Sequence, residues 1–142
     1  MAIQDSKRLP IVLLHLYPNL KNTWMGNDGD YRLDDDGLTG TKLTLLSKSV
    51  AEPTDKELAD AKEAAVNAHW YRLLRRKRDS LLVESDWTQG ADVPSSIKNE
   101  YATYRAKLRD LPTTATKPNY STLNGQNTKD WNIPSYMPTK PN

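Results

Sequence analysis

The chain has 142 residues, enough for one ordinary domain and too few for two. Leu, Ile and Val total 27 of them and Phe is absent, so the apolar stock supports a modest core with arms and excludes a broad one. With 20 basic and 18 acidic residues the net charge is +2, which excludes a strongly basic nucleic-acid binder, and the lack of Cys excludes disulfides, thiol nucleophiles, Cys-ligated zinc and iron–sulfur clusters.

Residues 1–53 read as a small β-containing segment. Apolar runs of strand length are separated there by turn-rich stretches: Ile11 to Tyr17 between Pro10 and Pro18, Tyr31 to Leu33, and Lys42 to Ser47 after Gly40. Gly26 to Asp30 and Asp34 to Gly37 supply residues that tolerate positive φ, which predicts a meander or hairpin pair. The longest apolar run is far short of the ~18 residues of a membrane span, and no export signal is expected from its flanks. The acidic stretch from Asp28 to Asp36 does not match a calcium loop: with Gly37 at the glycine position, Arg32 occupies the first ligand position and Leu43 the last.

Pro53-Thr54-Asp55-Lys56-Glu57 has the form of a capping box, Thr followed three residues later by Glu. About 30 residues without Gly or Pro follow, so the sequence predicts a helix from Thr54 to about Val83. On a 100° wheel Val66, Trp70, Leu73, Leu74 and Leu81 gather on one side and Arg72, Arg75, Arg76 and Asp79 on the other. Lys77 falls on the apolar side, where its stem would pack and its head would snorkel or meet a carboxylate. This basic run is read as a partner-binding face for acidic groups; the acidic residue among the cations disfavours nucleic acid.

Glu84 to Pro94 shows no periodicity and contains Gly90, and reads as a connection. Ser95 or Ser96 is expected to cap a second helix, in which Ile97, Tyr101, Tyr104, Leu108 and Leu111 form a seam that ends at Pro112. Two apolar seams joined by a short link predict an antiparallel helix hairpin over 54–112. Its expected stabilising residues are Trp70, Leu74, Leu81, Tyr101, Tyr104 and Leu108, with Trp87 plugging one end and Asp86 capping or pairing with Arg75 or Arg78.

Residues 113–142, rich in Pro, Thr, Asn and Lys, read as an extended C-terminal arm. Tyr120, Leu123, Trp131, Ile133, Tyr136 and Met137 are spaced like anchors that dock singly on a partner. The expected fold is therefore mainly α: a helix hairpin, a small N-terminal β-containing segment and a Pro-rich arm. No catalytic constellation emerges. His15 and His69 lie far apart in sequence, no Ser sits in a Gly-x-Ser-x-Gly turn, and no Gly-rich loop opens a helix, so no enzyme, metal or cofactor is expected.

Arg75, then Arg78-Asp79-Ser80-Leu81-Leu82-Val83-Glu84-Ser85-Asp86-Trp87-Thr88-Gln89, Asp92-Val93-Pro94, Tyr104-Arg105 and Leu108-Arg109-Asp110-Leu111-Pro112 follow a recognisable order. Over about residues 70–112 the chain resembles the phage tail assembly chaperone family related to tail-fibre assembly proteins. That resemblance implies a non-enzymatic bacteriophage protein that binds other tail, fibre or baseplate proteins, with no membrane partner. Two places of action follow: the virion, as a retained tail component, which the arm favours, or the host cytoplasm during assembly, as a transient chaperone. A homo-oligomer is compatible with either. The rival reading is a nucleic-acid accessory protein using the basic helix.

Overall fold

The computed structural model of the chain describes residues 2–3, 9–19, 31–35, 41–45 and 51–142. They fall into two compact units, Met1–Ala68 and His69–Asn142, and the boundary lies inside one long helix. The division expected from sequence, 1–53, 54–112 and 113–142, differs from this one.

In the first unit, β1 (Ala2–Ile3), β2 (Tyr31–Asp35) and β3 (Thr41–Leu45) form an antiparallel sheet in the order β1-β3-β2. Tyr31 pairs with Leu45 and Leu33 with Leu43, so the two expected runs meet as adjacent strands. Of the residues read as turns, Gly26 to Asp30 and Asp36 to Gly37 lie outside the described residues, whereas Asp34 and Asp35 belong to β2.

The apolar run that sequence assigned to a strand is instead a helix, α1 (Leu9–Leu16). Periodicity cannot separate a short, uniformly apolar run into helix or strand. Pro10 fits the first turn, where the N–H it lacks would have no intrahelical acceptor, and Pro18 falls beyond the end. The Tyr17 N–H closes the last turn on the Leu13 carbonyl at 2.8 Å. Ile11, Val12 and Leu13 are all buried, packed in one cluster with Tyr31, Leu58 and Ala65. His15 is exposed.

The long helix, α2 (Asp55–Glu84), begins where the capping box predicts. The Thr54 N–H donates to Glu57 Oε2 at 2.7 Å and the Glu57 N–H to Thr54 Oγ1 at 3.2 Å. The Thr54 N–H, and after it the Thr54 hydroxyl donating to the same Oε2 at 3.1 Å, hold the Glu57 carboxyl below its ordinary pKa. Pro53 is buried just ahead of them.

In the second unit, α2 gives way to a 3-10 turn, Asp86–Gln89, and then to α3 (Ser95–Thr114). Gln89 Nε2 reaches the Lys98 carbonyl while Arg105 reaches Leu82 and Ser85, so position rises along one helix as it falls along the other. That is the antiparallel hairpin. Its apolar seam holds Tyr101, Tyr104 and Leu108 against Leu81, Leu82, Ile97 and Met137. Neither Ser95 nor Ser96 caps α3; Pro94 stands at the N-cap with no side-chain cap bond, and its carbonyl accepts from the Lys98 N–H at 3.0 Å. The helix also runs two residues past Pro112, with the Thr113 and Thr114 hydroxyls donating to the Asp110 carbonyl at 2.8 and 3.2 Å.

Residues 113–142 are not an extended arm. They form α4 (Tyr120–Gly125) and two 3-10 turns, Thr128–Trp131 and Ile133–Tyr136. Leu123, Trp131 and Ile133 are buried, and the Trp131 indole N–H donates to the Leu123 carbonyl at 2.9 Å. Asn132, at φ 50°, reverses the chain between the two turns in a left-handed conformation that Asn tolerates better than most residues. Bonds internal to a polar segment allow its few large apolar side chains to be buried together, which composition alone does not register.

Candidate functional site

The hairpin end is locked by a buried cation. Arg105 sits on the apolar seam of α3, 8% exposed, between Tyr101 and Leu108. Its guanidinium donates to the Leu82 carbonyl at 2.6 Å, to Ser85 Oγ at 2.8 Å and to Asp86 Oδ1 at 2.7 Å. Three orphaned or polar groups at the C-terminal end of α2 thus receive donors from one side chain, and the positive charge lies at the negative end of the helix dipole. Asp86 therefore pairs with Arg105, and the expected pairing with Arg75 or Arg78 does not form; Arg78 binds its neighbour Asp79 at 2.7 Å.

Trp87 does not plug this end. It is 62% exposed, with its ring 6.1 Å from that of Tyr101. The reason is the 3-10 geometry: at three residues per turn, Ser85 and Thr88 share the inward side and are buried, while Trp87 projects from another side. Thr88 Oγ1 secures the turn by donating to the Ser85 carbonyl at 2.6 Å.

The remaining expected hairpin residues are inside. Trp70, Leu74 and Leu108 are fully buried, Tyr101 and Tyr104 nearly so, and Leu81 packs on the seam. Trp70 meets Tyr71 and Tyr136 edge-on at 5.0 and 5.2 Å between ring centroids. Tyr136 is thus committed to the chain's own fold, and Trp131, 2% exposed and edge-on to His69, is more so; neither serves as a free anchor for a partner. Tyr120 is half-buried at the start of α4.

The C-terminal residues strap the seam. Met137 packs on it, Tyr101 donates its hydroxyl to the Pro141 carbonyl at 3.4 Å, and Lys140 pairs with Glu84. The Lys140 hydrogen bond and charge lower the Glu84 pKa, with a smaller contribution from Lys77, and Glu84 in turn raises that of Lys140. Lys77 is exposed. An open groove of about 730 Å³ lies beside the strap, lined by Thr103, Tyr104, Lys107 and Lys140 among others.

Arg72, Arg75 and Arg76 are exposed on the outward side of α2. Arg72 contacts His69 Nδ1 at 2.8 Å and Arg75 lies over the Tyr71 ring at 5.7 Å. Among the described residues no cluster of three or more His, Asp or Glu side chains could hold a metal, and no helix is long and apolar enough to cross a membrane.

A helix hairpin locked by an Arg on its seam, with its C-terminal segment folded back, is the part of this chain that can be compared with known proteins. Residues 71–131 match the phage tail assembly chaperone protein family. The match covers less than half the chain, takes in the C-terminal half of α2, α3, the Arg105 lock and the folded-back segment as far as Trp131, and runs C-terminally beyond the 70–112 stretch that carries the sequence resemblance. Nothing matches among curated proteins or among solved structures. Sequence reasoning quoted Ser85, Thr88 and Arg105 within the familiar motif without a structural role and read Leu123 and Ile133 as docking anchors, whereas all five are buried; the available signal for Arg105 was a charged residue within an otherwise apolar heptad-like seam at Tyr101, Tyr104 and Leu108.

Proposed function

We propose that this protein works in the host cytoplasm as a non-enzymatic tail assembly chaperone, holding a tail, fibre or baseplate polypeptide through its second unit until that polypeptide is assembled. The observation that carries this reading is the family match over residues 71–131, which spans the C-terminal half of α2, all of α3 and the folded-back segment as far as Trp131. The exposed side chains of that unit, cations on α2 together with Val83 and Trp87, support docking as its work. Retention in the virion rested on a long arm free to lie along neighbours. With Leu123, Trp131 and Ile133 buried in the chain's own fold, that ground is lost and the transient role is favoured.

The test is mass spectrometry of salt-washed particles beside an infected-cell lysate, with affinity capture of the tagged chain from the lysate. The proposal expects the chain in the lysate bound to an unassembled tail polypeptide and absent from particles. Stoichiometric presence in particles would replace the chaperone with a structural component, and capture of no tail polypeptide would overturn the docking role.

A further inference from the structure

The outward side of α2 carries an ordered sequence of chemistry. At 100° per residue, Arg72, Arg76, Asp79 and Val83 lie within one 60°-wide stripe, with Arg75 about 40° outside it, opposite the inward side that holds Trp70, Leu74 and Leu81. All five are exposed. The stripe is cationic at one end and finishes at Val83, which is 71% exposed; beyond the end of α2, in the 3-10 turn, Trp87 is 62% exposed with its ring 6.1 Å from that of Tyr101. From Arg72 to Val83 is roughly 16 Å along the helix axis at ~1.5 Å per residue.

Each half lacks something. Asp79 pairs with Arg78, which leaves Arg72, Arg75 and Arg76 facing outward with no carboxylate on them in the ion pairs of the described residues. At the other end, a Trp and a Val project into water while smaller polar residues, Ser85 and Thr88, occupy the interior. Exposed apolar side chains along a helix that also presents cations without carboxylate partners mark an interaction surface, since aromatic and Arg side chains supply most binding energy at interfaces. The nearby acidic groups, Glu84 and Asp86, are already paired with Lys140 and Arg105 and do not compete for the stripe.

We infer that this stripe binds an acidic, amphipathic polypeptide segment, its carboxylates on Arg72, Arg75 and Arg76 and its large apolar side chains on Val83 and Trp87. The inference rests on the chaperone reading, for which it names the chemistry of the segment that is held. Charge complementarity selects the occupant: a second copy offers the same cations and would repel them, and a nucleic acid, although its bases could stack on Trp87, would bring its phosphates against the Asp79 carboxylate within the stripe and leave Val83 without an apolar partner.

The experiment is selection of random displayed peptides of roughly 15 residues, long enough as a helix to span the stripe, on the full-length chain. Enriched peptides are then titrated by fluorescence anisotropy. We expect enriched peptides to be net acidic with large apolar residues toward one end, and their affinity to fall about tenfold or more in Arg72→Glu/Arg76→Glu, where attraction becomes repulsion. Val83→Ser and Trp87→Ala should weaken them separately, with circular dichroism unchanged because all four positions are exposed. Absence of enrichment, enrichment of basic or uncharged peptides, equal binding by the variants, or displacement of the peptide by a single-stranded oligonucleotide overturns the inference. Failure of the chaperone reading is seen separately: the selected peptides still bind, but no tail polypeptide is captured from the lysate.

Discussion

Replacing Arg105 with Met keeps the apolar stem on the seam and removes the guanidinium, so it isolates the polar lock at the hairpin end. The three acceptors are 2.6 to 2.8 Å away, and bonds of this charge-assisted kind contribute roughly 1.5–3 kcal/mol each in isolation. They do not add. Asp86 is 62% exposed on its side chain and rehydrates, so that pair contributes about 1 kcal/mol or less. The Leu82 carbonyl keeps a second donor, the Ser85 hydroxyl at 3.1 Å. Arg105 Nε, buried with no acceptor among the described residues, sets a desolvation cost against the gains, and Met removes that cost too. The expected net loss is about 2–3 kcal/mol. With an unfolding entropy of about 2.1 cal/mol/K per residue, a chain of 142 residues should melt about 7–10 °C lower. Thermal denaturation followed by circular dichroism at 222 nm reads this directly. Asp86→Asn in parallel should lower the midpoint by no more than about a third as much. A shift below about 2 °C for Arg105→Met, or equal shifts for the two variants, would show that the lock is not what holds the hairpin end.

Trp87→Ala should change stability by less than about 0.5 kcal/mol, as expected for an exposed position, whereas Trp70→Ala should cost about 3–5 kcal/mol in the same melts. Trp131→Ala should cost about 3 kcal/mol, and deleting residues 113–142 should melt helical signal as well, since both remove buried side chains from the second unit; a truncated chain of undiminished helicity would restore the free arm. The strap should respond to pH at both ends. Because Lys140 lowers the Glu84 pKa from 4.5, the pairing is fully present above that value and is lost as pH falls through the lowered one. Because Glu84 raises the Lys140 pKa from 10.5, it is present below that value and is lost as pH rises through the raised one. Side-chain NMR titration of Glu84 in wild type and Lys140→Gln checks the first, and identical titration in both would refute the pair. Thr54→Ala should destabilise by about 1 kcal/mol through loss of the cap on α2, measurable by urea denaturation.

Much of this chain was legible in one dimension. The start of α2 followed from Thr54 and Glu57, its length from the lack of Gly and Pro, the hairpin from two apolar seams, and two adjoining strands from Tyr31 to Leu33 and Lys42 to Ser47. These are local properties: a cap acts over three residues and periodicity over a few turns, so neighbouring residues suffice to state them. The motif around Ser85 to Gln89 was likewise recognisable as a familiar order of residues, and the family match falls on it.

What tertiary structure alone decided was which side chain fills each space. Arg105 reaches Ser85 and Asp86 across twenty residues of sequence, and no local rule favours it over Arg75 or Arg78. Whether Trp87 points in or out depends on the 3-10 phase of a four-residue turn, one residue of which reverses the answer. The uniformly apolar run Leu9–Leu16 carries no period to read, so its burial against Tyr31, Leu58 and Ala65 selects the helix. The tail shows the same thing at larger scale. Its composition describes a chain that could not fold alone, but α2 sets His69 against Trp131 and Trp70 against Tyr136, and burial of a few large side chains there outweighs the entropy of ordering the polar residues between them.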